Sequence, residues 1–308
     1  VGYVPAHTAS EIPGRGLQGL GDAYESGGVP LFLVSAENLF GVGIDRYLQI
    51  SENDARVLFQ KLGPLTVEVP DEVRVAAGPG RTKLLFVPGR QRLPAAFLTR
   101  FLFTLGLEAD DIDLGGRHLA FWDAMFETFA DDPDALAAAF RGAENVLTES
   151  DASAAEHAEF FAALAALSPE DRINRSLTVT SLEVPGNRLY AADTGELMSF
   201  IADVVGAGAV AEIKTRVQIL NGNGFPGIGE EVATRLVGEG FRVILSGNAK
   251  RLDYEKTLII TYDSSPEGQA LARRAQDLLG VGELQISTQD QGIVDLTIVV
   301  GKDFLRTP

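Results

Sequence analysis

Arg216-Val217-Gln218-Ile219-Leu220-Asn221-Gly222-Asn223-Gly224-Phe225-Pro226-Gly227 decides the architecture of this 308-residue chain. Val217 and Ile219 alternate with Arg216 and Gln218, the period of a half-buried strand. The Gly-Asn-Gly cluster that follows is a turn, and Pro226 suits the opening of a helix, which the pattern carries to residue 238. Further on, strands are predicted over 241–245, 257–262 and 296–300, with a helix over 266–279. Such alternation gives a mixed α/β unit. The glycines also fit G-x-G-x-x-G, but a dinucleotide site needs an acid about 20 residues on. Leu245-Ser246-Gly247-Asn248 supplies none, so the glycines read as a tight strand-to-helix turn.

Upstream of that unit, Gly206-Ala207-Gly208-Ala209 suits a linker, and the chain divides into a domain over 1–205, a linker over 206–212 and a smaller α/β domain over 213–308. In the first domain a helical stretch opens at Gly27-Gly28-Val29-Pro30 and runs to about residue 40. Residues 44–50 read as a strand. Ser51, with Asp54 three residues on, caps a helix that Gly63-Pro64 stops, and 65–69 and 83–87 read as strands. Asp132-Pro133 and the pair Ser153 and Glu156 each open a further helix. The expected fold class is α/β, a mixed sheet with flanking helices followed by the smaller α/β domain.

Charge is segregated along the chain. The net formal charge is −17, and the mostly helical segment 106–171 holds 16 acids against two basic residues. Its carboxylates are expected on outward helix faces. Immediately before it, residues 73–107 hold six basic residues (Arg74, Arg81, Lys83, Arg90, Arg92 and Arg100) and no acid. An acidic chain is a poor non-specific nucleic-acid binder, whereas guanidinium groups free of competing carboxylates suit a phosphate ligand. A solvated basic surface is the plainer reading of the same stretch. With no Cys the chain has neither disulfides nor thiolate chemistry. No window of 18 apolar residues marks a membrane span, and the first residues do not form a signal peptide.

Asp110, Asp111 and Asp113 could hold a hard cation, although an EF-hand's later ligands are absent and a solvated acidic turn accounts for them equally. His118 beside Arg117 is either an acid–base group or a packing histidine.

Both halves of the chain resemble one family, the LytR/CpsA/Psr proteins of bacterial cell-envelope assembly. The C-terminal match runs from Arg216-Val217-Gln218-Ile219-Leu220-Asn221-Gly222 through Gly240-Phe241 to Val300-Gly301-Lys302-Asp303-Phe304. The other is carried by Ala23-Tyr24-Glu25-Ser26-Gly27-Gly28, Glu37-Asn38-Leu39-Phe40-Gly41-Val42, Ile44-Asp45-Arg46-Tyr47 and Leu62-Gly63-Pro64-Leu65. The resemblance implies an extracytoplasmic protein held at the cell membrane by an N-terminal segment outside this sequence. It implies a polyprenyl pyrophosphate-linked glycan as ligand, peptidoglycan and cell-wall assembly proteins as partners, and phosphotransfer assisted by Arg, Asp and Mg²⁺.

The departures fall on the chemistry. Where the family has an Arg and an Asp after Ile-Pro, this chain has Ala6 and His7; two further arginine positions fall on Phe103 and Leu105. An Arg-x-x-Arg-Gln run falls on Arg117, Ala120 and Phe121, keeping only its first member. The expectation is therefore a glycan-binding protein with weakened or lost catalysis, with Arg117, Arg100, Arg92 and Arg90 as pyrophosphate contacts. Two alternatives stand beside it: an active Mg²⁺-dependent phosphotransferase using Asp110, Asp111 or Asp113, and a non-catalytic protein-interaction module.

Overall fold

The computed structural model describes residues 1–107, 109–147, 149–184, 187–206, 215–287 and 293–306. Past Gly206, the expected linker lies outside the described residues. In chain order the elements are β1 (Gly2–Tyr3), β2 (Ala9–Ile12), β3 (Gly16–Gly19), α1 (Leu20–Phe40), α2 (Glu52–Leu62), β4 (Leu65–Val69), β5 (Val73–Ala76), β6 (Thr82–Phe86), β7 (Gly89–Leu93), α3 (Ala95–Phe103), α4 (Asp111–Phe129), α5 (Pro133–Arg141) and α6 (Ala154–Ala165). They continue with β8 (Arg175–Ser176), β9 (Thr180–Val184), β10 (Asn187–Ala191), α7 (Thr194–Val204), β11 (Thr215–Asn221), α8 (Ile228–Leu236), β12 (Phe241–Asn248), β13 (Leu258–Thr261), α9 (Pro266–Leu279), β14 (Glu283–Ile286) and β15 (Leu296–Val300). The fold is mixed α/β.

Packing groups the chain into two compact units, residues 1–5 with 45–178 and residues 6–44 with 179–308. The first unit is mainly helical. Its described strands pair only in twos: β1 with β8, β4 with β7, and β5 with β6. Ser51 accepts a hydrogen bond from the Asp54 amide at the start of α2, and Ser153 and Glu156 form the capping box of α6, as their spacing predicts. The core gathers Leu65 and Val67 of β4 with Leu98 and Phe101 of α3 and Phe121, Met125 and Phe126 of α4. Segment 44–50 is no strand: Leu48 makes a single bridge to Ser150, and the apolar alternation there serves side-chain packing rather than a ladder.

The second unit is built on a five-stranded sheet in the order β12-β11-β15-β13-β14. β11 runs parallel to both β12 and β15, while β13 is antiparallel to β15 and parallel to β14. Helices α8 and α9 make the crossovers between β11 and β12 and between β13 and β14. Gly222 is obligatory at the end of β11, because a Cβ there would lie 2.9 Å from the Val300 carbonyl oxygen and from a Val299 methyl. The outer edge of β12 is covered by a side chain: Asn38 of α1 donates to the Val243 carbonyl and accepts from the Val243 amide, both at 2.8 Å. The sequence places α1 too late, since it starts at Leu20. Gly28 (φ +66°) breaks it before Pro30, so the expected start at 27–30 is the beginning of its second half.

Candidate functional site

Five helices of the first unit leave an apolar pocket of about 340 Å³. Helix α2 lines it with Ala55, Leu58, Phe59 and Leu62, and α4 with His118, Phe121, Trp122 and Met125. Both sets follow the i, i+3, i+4, i+7 spacing of one helical face. Leu102 and Phe103 come from α3, and Phe140 and Phe161 from α5 and α6. The Trp122 indole stacks on Phe161 with centroids 5.5 Å apart and planes 5° from parallel, and Phe161 stacks on Phe140 at 4.3 Å. Leu48 and Ile50, from the segment read as a strand, complete the lining.

His118 is the sole titratable group of that lining. Burial, aided by the neighbouring Arg117 charge, pushes its imidazole down to about pKa 4 from 6.5, against a hydrogen bond to Leu102 that pulls it up. The histidine is therefore neutral at physiological pH, which keeps the pocket uncharged. An unfolded chain takes up this proton below about pH 6.5 and the folded one only near 4, so stability falls as pH drops through that window. Urea melts of the wild type and His118→Phe, compared across pH 4 to 7, are expected to diverge there; parallel curves would contradict the assignment.

The charged residues singled out from the sequence are dispersed within this unit. Arg117 is buried, 2% exposed, and donates to the carbonyls of Phe101 at 2.8 Å and Thr104 at 2.7 Å. It thereby satisfies carbonyls at the C-terminal end of α3, while its flank lines a cleft of about 530 Å³ together with Asp71, Arg74 and Asp113. Arg100 is exposed on α3 with its guanidinium 5.7 Å above the Phe97 ring. Arg90 faces acids, sharing a cleft of about 420 Å³ with Glu68, Asp123 and Glu127, and Arg92 is exposed on β7.

Two of the positions at which the chain departs from the family pattern, Phe103 in place of an arginine and Phe121 in place of a glutamine, line the apolar pocket instead. Of the others, Leu105 is exposed and Ala120 lines the Arg90 cleft. Ala6 and His7 lie in the second unit, with His7 edge-on to Tyr190.

Asp110 and Asp113 are occupied as helix caps. The Asp110 carboxylate accepts from the Ile112 amide, and Asp113 reaches back to accept from the Asp110 amide. No group of three or more His, Asp or Glu suited to a metal gathers among the described residues. These side chains do not match the donor set that Mg²⁺ requires. Ser150 and His157 are hydrogen-bonded at 2.6 Å, but Ser150 gives its proton to the Tyr47 carbonyl, so His157 Nε2 donates to the Ser150 hydroxyl and does not act as its base.

In the second unit the glycine turn after β11 is closed on itself. Asn221 Oδ1 accepts from the amides of Asn223 and Gly224, and Asn221 Nδ2 donates to the Phe225 carbonyl. Backbone donors that a pyrophosphate would need are thus already used, in line with a structural turn.

Residues 214–304 match the LytR_C family, described as LytR cell envelope-related transcriptional attenuator. Among solved structures, TagV of B. subtilis superposes with a TM-score of 0.53 at 15% identity, covering 64% of this chain and 78% of that one. A transcriptional regulator from Enterococcus faecalis gives 0.49 at 15% identity, over 64% and 72% of the two chains. TagT, in a structure with LI-WTA bound, gives 0.47 at 15%, over 65% and 77%. No curated protein matches the chain. At such identities likeness to a structure speaks for the fold alone. Residues 214–304 are thus a LytR C-terminal domain, carried by a chain that shares its fold with TagV.

Proposed function

We propose that this is a cell-envelope protein of the LytR/CpsA/Psr kind that binds the lipid end of a polyprenyl pyrophosphate-linked glycan, with weakened or lost transfer chemistry. The observation that carries the reading is the aromatic and aliphatic pocket between α2, α3 and α4, whose polar content is one neutral histidine. Such a cavity favours an unbranched or prenyl chain, because each buried CH₂ contributes about 0.8 kcal/mol. Arg100, on the helix that supplies Leu102 and Phe103 to the pocket, is the proposed pyrophosphate contact, with Arg92 as a second. Arg90 is held among acids, and Arg117 acts by positioning the end of α3. Phosphoryl transfer rests on guanidinium and metal charge aimed at the phosphates. Phe103, Leu105 and Ala120 stand where the resemblance calls for that charge, hence the weakened catalysis. The proposed location is the outer face of the cytoplasmic membrane, with wall glycan and wall-assembly proteins as partners.

Trp122 is the single tryptophan of the chain and lines the pocket, so its fluorescence reads occupancy directly. Geranylgeranyl pyrophosphate should give a saturable change that is lost in Ala55→Leu, where the added carbons fill the pocket. Arg100→Ala should weaken binding about tenfold, the equivalent of one charge-assisted contact. An unresponsive Trp122, or one that responds equally in Ala55→Leu, would remove the lipid-binding reading. Turnover of a lipid-linked glycan that vanishes when Asp110, Asp111 and Asp113 are replaced would favour an active transferase instead.

A further inference from the structure

Residues 73–107 carry an outer surface that the pocket does not use. The β5–β6 hairpin projects from the first unit, with residues 76–84 exposed on both faces around the tip Gly78-Pro79-Gly80. Its base is fixed to α3 by the Phe86 and Phe101 rings, 5.4 Å apart. The loop after α3 returns alongside β5 through the Leu107 amide, which donates to the Arg74 carbonyl at 2.8 Å. Hairpin, outer face of α3 and loop therefore form one contiguous surface. On α3 that face reads Ala96, Arg100 and Phe103 at i, i+4, i+7, with Phe97 beside it.

This surface has an unusual composition. Leu84, Val87, Phe97, Phe103, Leu105 and Leu107 are each 40–48% exposed. Among them stand Arg81, Lys83 and Arg100, none of which has a carboxylate partner among the described residues; the nearby Arg74 is neutralised by Glu72. Scattered exposed apolar residues are ordinary. A set of exposed apolar residues threaded with unpaired cations, in a chain of net charge −17, is different, because outside residues 73–107 acids outnumber basic residues by 43 to 20. Screening confines the remote acidic charge to about 10 Å at ordinary ionic strength, so the local sign is what a partner meets.

We infer that this face docks on an anionic lipid bilayer, the hairpin tip and Arg100 among the headgroups and the Leu84, Phe97 and Phe103 side chains at the acyl boundary. Charge complementarity selects an anionic partner. The interleaved apolar groups select a bilayer over a soluble polyanion, which rewards cations but gains nothing from Leu and Phe. The inference goes beyond the pocket reading and stands independently of it. If both hold, Phe103, which belongs to the face and to the pocket lining, puts the pocket at the bilayer surface from which a lipid ligand would enter.

Co-sedimentation of the full chain with phosphatidylcholine vesicles, with and without phosphatidylglycerol, tests it. Binding is expected only with phosphatidylglycerol and should fall with salt. Neutralising Arg81→Ala and Lys83→Ala together should weaken it roughly 30-fold, at about fivefold per cation. Leu84→Ser should weaken it with an unchanged salt dependence, and the exposed pair Lys250→Ala and Arg251→Ala should have no effect. Thermal melts of the Arg81/Lys83, Leu84 and Lys250/Arg251 variants should match the wild type, since each of these side chains is exposed. Absence of vesicle binding, equal binding to both vesicle types, or indifference to the double neutralisation would overturn the inference. So would capture by soluble polyphosphate in place of vesicles. Ala55→Leu separates the two readings: it should abolish the Trp122 response to geranylgeranyl pyrophosphate and leave vesicle binding intact.

Discussion

Arg117→Met is expected to cost about 3 kcal/mol of stability in urea unfolding, against less than about 0.5 kcal/mol for the exposed Arg100→Met. Methionine keeps most of the apolar stem, so lost packing contributes little. What disappears is a buried guanidinium with two short hydrogen bonds to the Phe101 and Thr104 carbonyls. Those acceptors lie at the end of α3, where no intrahelical amide reaches them, and one of them is fully enclosed. Left without a donor, each retains its desolvation penalty. Lysine places one ammonium where two nitrogens are needed, so Arg117→Lys should recover less than half of the loss. If Arg117→Met were as stable as the wild type, the side chain would not be a structural clamp and would return to the list of ligand contacts.

Asn38→Leu is expected to cost a comparable 2 to 4 kcal/mol. The Asn38 amide engages both backbone groups of Val243, acting as a one-residue strand on the free edge of β12. Leucine matches the volume but offers neither donor nor acceptor, and Val243 is buried. Amide hydrogen exchange gives a local readout: the Val243 N–H should exchange much faster in the variant while that of Ile219, within the sheet, changes only as far as global stability does. Unchanged protection at Val243 would show that the edge is covered by something other than Asn38.

Where a local signal has a local cause, the chain is read to the residue. Helix α9 and strand β15 have the bounds expected of them, because Ser265-Pro266 and Gly280 punctuate one and five consecutive apolar residues make the other. β14 escapes detection although Leu284 and Ile286 alternate with Glu283 and Gln285, because it is only four residues long and all four are exposed. Segment 44–50 fails in the opposite sense, since its alternation is real but is met by a pocket wall. The pocket itself was not legible. Its lining comes from helices spread over more than a hundred residues, and each i, i+3, i+4, i+7 set, taken alone, reads as ordinary core. Charged candidates misdirect for a related reason: sequence shows that Asp110, Asp113 and Arg117 can bind, but not that helix ends already occupy them.

The division of the chain into units has a consequence for its biosynthesis. Helix α1 packs on β2 and β3 just before it and on α7 and α8 from residues 179–308, and residues 45–178, 134 in all, emerge between those two sets of partners. At about 5–20 residues per second, the ribosome takes on the order of ten seconds to make that stretch. Throughout this delay Leu31 has Ile12 and Ala23 to pack against, but Asn38 lacks the Val243 backbone that it holds in the finished protein. The intervening unit contains its own helical core and can condense in the meantime. Assembly order is therefore set by topology, with residues 6–44 completing their contacts only after the intervening unit has been made.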